Sequence, residues 1–100
     1  MKLGRPNLYS KSVIMDLALH LAVLHGYDRI TREMLSAEVE CSPALISKLF
    51  GTMPQLRRAI MSAAVARSEL RVIAQGLVAG DSKAKRATAT VQREALEIFL

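Results

Sequence analysis

Tryptophan is absent from this chain, and only two Tyr and two Phe supply aromatic rings. A core must therefore come from Ala, Leu, Val, Ile and Met, a mix that suits close-packed helices better than a β-sandwich. A single cysteine, Cys41, excludes an intrachain disulfide. No signal-peptide pattern is present, because a polar run from Gly4 to Ser12 separates the start from the first apolar stretch. That stretch, Val13 to Leu24, is too short to span a bilayer and is broken by Asp16 and His20. A cytoplasmic protein is expected. His20 and His25 have no nearby Cys or carboxylate pair, so neither a metal nor any other cofactor is expected. There is no phosphate-cradling Gly loop and no supported Ser/His/Asp set, so nothing argues for an enzyme.

What is present points to one small all-α domain. The 100 residues sit at the low end of what folds alone, and 51% are apolar. The net charge is +5, which makes a polyanion a reasonable partner, and no half of the chain is strongly acidic. Residues 1–11 hold Lys2, Arg5 and Lys11 with Gly4 and Pro6, and no acid, and read as an extended basic arm. A first helix is expected over residues 12–25. It places Ile14, Leu17, Ala18, Leu21 and Leu24 on one buried face and ends at Gly26, whose left-handed freedom suits a helix end.

Thr31 can cap a short second helix that ends near Val39, with Leu35 and Val39 facing inward. Ser42-Pro43 starts a third helix, over residues 43–50: Ser caps, and Pro gives up an amide that would be unpaired anyway. Ile46, Leu49 and Phe50 form its apolar edge, and Gly51 ends it. Thr52 and Gln55 make a capping box for a long fourth helix to about Gln75, although Arg67 interrupts its apolar stripe. Gly76 and Gly80 then loosen the chain. A last helix, capped by Asp81 or Ser82, runs to about Phe99 with Ala84, Ala87, Val91, Ala95 and Ile98 along one side.

Two short helices joined by a tight turn, the second entering with small and polar side chains, follow the helix-turn-helix plan. A helix fits the major groove of B-DNA only if its outward face lacks bulk and acid. From Pro43 to Lys48 there is no acidic residue, and Lys48 can reach a phosphate or a guanine. The same shape also occurs in helical bundles that bind only protein.

Gly26-Tyr27, Thr31, Leu35, Val39, Cys41-Ser42, Ile46, Phe50-Gly51 and Leu56 fall in a register that resembles the TetR-family DNA-binding domain, over about residues 4–60. The resemblance implies base contacts from Pro43, Ala44 and Leu45, phosphate or base contacts from Ser47 and Lys48, and backbone contacts from Thr31 and Ser42. Three departures weaken that set. Glu40 stands where the family favours Gly, and its charge near phosphate is unfavourable. Ser47 replaces a common Tyr and Met53 a common Lys, so two phosphate contacts are missing. Affinity then depends more on the arm. Gly4-Arg5-Pro6 is similar to an AT-hook core, and Arg5, with Lys2 beside it, suits the narrow minor groove of A·T tracts.

Residues 12–58 are thus read as the DNA-binding unit and residues 59–100 as C-terminal helices for dimerisation. A TetR-type protein continues into a large effector-binding domain; here the residues after the DNA-binding unit are too few to enclose a typical ligand, so no small-molecule effector is expected. The expected activity is a sequence-specific double-stranded DNA-binding repressor acting as a homodimer. The competing reading is a protein-interaction module of the anti-repressor kind, favoured by Glu40 and the missing Tyr and Lys.

Overall fold

The computed structural model describes residues 10–98, and within them the chain is all-α, with no strand. Six helices follow in order: α1 (Lys11–His25), α2 (Arg32–Val39), α3 (Pro43–Phe50), α4 (Met53–Arg67), α5 (Leu70–Ala79) and α6 (Ala89–Glu97). Short 3-10 turns, Tyr27–Arg29 and Ala84–Arg86, precede α2 and α6. None of the helices among the described residues is long and apolar enough to cross a membrane. The N-terminal arm lies outside the described residues, except for Ser10 and Lys11, the cap and first residue of α1. Ser10 caps that helix, accepting from the Val13 amide at 3.2 Å.

Local signals set the first half of the fold. Thr31, Ser42 and Thr52 each sit in extended backbone and accept a hydrogen bond from an amide three residues on. Gln55 completes the capping box, its Oε1 accepting from the Thr52 amide at 2.8 Å. At Gly26 φ is +100° and ψ 135°, so a positive φ ends α1 as expected, though ψ lies well outside the left-handed helical basin. Ile14, Ala18, Leu21 and Ala22 of α1 pack with Leu35 and Val39 of α2, Ile46 of α3, and Leu56 and Ile60 of α4. Leu17 is half-buried, and Leu24, expected on the inner face, is 62% exposed.

The second half departs from expectation in three places. The long fourth helix is two helices, because Ser68 adopts φ 54° and ψ 43° and the Glu69 amide turns back to the Ala64 carbonyl at 2.8 Å. Continuing α4 from buried Ala64 would carry Arg67, Ser68 and Arg71 onto its inner face; the break leaves all three exposed. Arg67 instead forms an ion pair with Asp16 of α1.

Gly76 does not loosen the chain. It lies inside α5, where an added Cβ would sit 2.8 Å from the Ala84 Cβ and 2.5 Å from the Met61 Cε. The absent side chain lets α4, α5 and the second 3-10 turn close on one another, and Gly80, at φ +82°, is what ends α5.

The expected helix over residues 81–99 is likewise divided. Ala87 is extended, Thr88 caps α6, and Gln92 Nε2 holds the bend by donating to the Lys85 and Ala87 carbonyls at 2.9 and 2.8 Å. Ala84, Ala87 and Ala95 are buried within the same chain rather than offered to a partner. Ile98, Leu96 and Val78 remain exposed.

Two side chains tie the halves together. Gln75 of α5 accepts from the Tyr27 amide at 2.8 Å and donates to the Ala22 carbonyl at 2.9 Å. The Tyr27 hydroxyl donates to Asp81, whose other oxygen accepts from the Lys83 and Ala84 amides.

Candidate nucleic-acid interface

α2 and α3 are each eight residues long and are joined by Glu40, Cys41 and Ser42. Glu40 makes the turn with φ 63° and ψ 46°, a left-handed conformation that glycine adopts freely and glutamate does not. The turn is therefore formed in spite of its residue type. Cys41 is half-buried against the core, and burial pushes its thiol above the ordinary value, so it stays a neutral packing group.

α3 is anchored through few side chains. Ile46 alone is fully buried, with Leu49 and Phe50 half-buried beside it. The opposite side carries Pro43, Ala44, Ser47 and Lys48; two of these pairs are four residues apart and so share a face. Pro43, Ala44 and Lys48 are exposed, and Leu45 and Ser47 are half-buried. Small side chains near the start of α3 leave its backbone open to close approach. Lys48, near its end, is the charged group on that face.

The two capping residues are already occupied. Thr31 Oγ1 accepts from the Met34 amide at 3.1 Å, and Ser42 Oγ from the Leu45 amide at 3.2 Å. Each hydroxyl keeps a proton that it can donate to an external acceptor. Ser42, Pro43, Ala44, Leu45, Ser47 and Lys48 come together on α3 and its cap, while Thr31 stands at the start of α2. Lys2 and Arg5 lie outside the described residues.

Two cations outside the set expected from sequence lie against α3. Arg32, the first residue of α2, donates from Nη1 to Ser47 Oγ at 2.7 Å and brings a guanidinium beside α3. Lys11 holds its ammonium 6.0 Å from the centre of the Phe50 ring, at the other end of α3. Neither is marked by a local motif. Each is brought in by the packing of one helix on another, which caps and apolar stripes do not register. Glu33, Glu38 and Glu40 are exposed on or just after α2, so the acids of the pair lie on the α2 side of the turn and none lies on α3.

Elsewhere, an open cleft of about 470 Å³ lies between α1 and the α4–α5 junction, floored by Leu19, Val23 and Leu24. Its arginines are engaged by carboxylates, Arg67 by Asp16 and Arg71 by Glu69 at 3.4 Å. No cluster of three or more His, Cys, Asp or Glu that could share a metal ion occurs among the described residues. No protein-family model, no curated protein and no solved structure matches this chain.

Proposed function

We propose that this protein is a sequence-specific double-stranded DNA-binding regulator, a cytoplasmic repressor that acts as a homodimer without a small-molecule effector. The observation that carries the reading is the outer face of α3. It has no acid, small residues at its start, Lys48 near its end, and Arg32 drawn in beside it by Ser47. A helix of this kind is narrow enough for the roughly 12 Å major groove. Pro43, Ala44 and Leu45 then meet base edges, Ser47 and Lys48 reach bases or phosphates, and Thr31 and Ser42 lie along the backbone. Lys2 and Arg5 add minor-groove contacts from the arm. One short helix reads few base pairs, so two-fold pairing of subunits is part of the proposal, with exposed Val78, Leu96 and Ile98 as the apolar surface for it. The arginines of the open cleft beside α1 are already engaged by carboxylates, in keeping with an effector-independent form.

A mobility-shift titration on the protein's own promoter region, repeated across salt concentrations, tests the proposal. Specific binding survives competitor DNA, weakens steeply with salt and is reduced by Lys48→Ala. No shift even at low salt contradicts it. The acidic surface of Glu33, Glu38 and Glu40 favours the second reading, a protein-interaction module. In that case Lys48→Ala leaves partner binding unchanged.

A further inference from the structure

α4 carries no acidic residue, and after Asp81 the next acid is Glu94. Where these two stretches meet, a cleft of about 190 Å³ opens, lined by Ser62 and Val65 of α4 and by Lys83 and Arg86 of the second 3-10 turn region. Arg58 is exposed one helical turn before Ser62, on the same side of α4.

The nearest acid in sequence, Asp81, is hydrogen-bonded within the turn rather than ion-paired with Lys83 or Arg86. Asp81 Oδ1 accepts from the Lys83 and Ala84 amides at 2.8 and 3.0 Å, and Oδ2 from the Tyr27 hydroxyl at 3.4 Å. Its two oxygens thus hold the turn and tie it to the first half of the fold. Neither Lys83 nor Arg86 takes part in the ion pairs formed among the described residues. Their place is also unfavourable for the fold itself. Lys83, Lys85 and Arg86 lie just before α6, whose positive dipole end repels cations. Among the described residues the fold gains no ion pair from Lys83 or Arg86.

We infer that Ser62, Lys83 and Arg86 form a phosphate-binding cleft, separate from α3, that holds the sugar-phosphate backbone of duplex DNA. The Arg86 guanidinium can donate two parallel hydrogen bonds to phosphate oxygens, Lys83 supplies a compact positive charge, and the Ser62 hydroxyl donates a third contact. Ser62 lies nine residues beyond Met53, about 14 Å further along α4 at 1.5 Å per residue, which sets the cleft apart from the turn between α3 and α4. It touches no base edge and adds affinity without sequence preference. The inference rests on the proposed function only for the identity of its ligand as duplex; free inorganic phosphate offers the same oxygens.

The test is a salt titration of the full chain on a short labelled duplex of arbitrary sequence, followed by fluorescence anisotropy. Lys83→Ala/Arg86→Ala flattens the plot of log affinity against log salt by about 1–2, near 0.9 for each phosphate no longer neutralised, and weakens binding about three- to ten-fold at moderate salt. Lys85→Ala/Arg93→Ala removes the same charge from exposed positions outside the cleft and changes the slope by less than half as much. Ser62→Ala weakens binding with no change of net charge. Equal effects of the two double variants, or an unchanged slope in the first, overturn the cleft in favour of a diffuse field. Amide shifts at Lys83 and Arg86 that appear with inorganic phosphate but not with duplex also overturn it, in favour of a small-anion site. Lys48→Ala separates the two proposals. If it leaves promoter binding unchanged while the cleft variant still flattens the slope, the reading of α3 fails and the cleft stands.

Discussion

Arg32 Nη1 donates to Ser47 Oγ at 2.7 Å, so the first residue of α2 is fastened across the turn to the outer half of α3. The bond uses one of five guanidinium donors and leaves the others free for an acceptor outside the protein. In the proposed DNA complex, Ser47 thus acts by holding Arg32 beside α3.

Removing either partner is expected to cost about 1 kcal/mol of stability, the usual net worth of such a bond. Urea unfolding of Arg32→Ala, Ser47→Ala and the double variant measures the coupling. A coupling energy near zero would show that the two side chains act independently.

Ile46→Ala is expected to destabilise the protein by about 2–5 kcal/mol, because Ile46 is the one fully buried side chain of α3. Leu49 and Phe50 alone would hold the helix loosely. Hydrogen exchange should then show α3 amides opening before those of α1 and α4.

Gly76→Ala distinguishes propensity from packing. Helix propensity alone favours the alanine by about 1 kcal/mol. Contacts of 2.5–2.8 Å with Met61 and Ala84 predict a net loss of about 1–3 kcal/mol instead. Thermal unfolding gives the sign directly.

Tyr27 introduces a dependence on alkaline pH. Burial, then the charges of Asp81 and Asp28, raise its phenol above the ordinary value of 10.0. The folded protein thus keeps a proton that the unfolded chain releases. That contribution to stability is complete below about pH 10 and is lost as pH rises from there through the folded-state value. Tyr27→Phe should flatten this limb of a stability-versus-pH curve while leaving the neutral region lower by about 1 kcal/mol or less.

Residues with local chemistry make the first half of the fold legible in the sequence. Thr31, Ser42-Pro43, and Thr52 with Gln55 announce helix starts through bonds to amides three residues away. Ser68 gives no comparable sign, since nothing in Arg67-Ser68-Glu69 marks a left-handed residue. The one clue is Arg67 on an apolar stripe. Gly76 misleads because glycine in a helix has two meanings, and only the nearness of Ala84 decides between them. Among the residues of the candidate site, Ser42 to Lys48 can be placed by spacing within one helix. Arg32 and Lys11 cannot, because their neighbours Ser47 and Phe50 are 15 and 39 residues away in the chain.

The exposed face of α3 is proposed to read DNA sequence. Selection of binding sites from a pool of random duplexes by the full chain tests it most directly. The expected result is an enriched motif with two half-sites related by two-fold symmetry, an enrichment that Lys48→Ala diminishes. A selected pool no different in sequence from the starting one would contradict it.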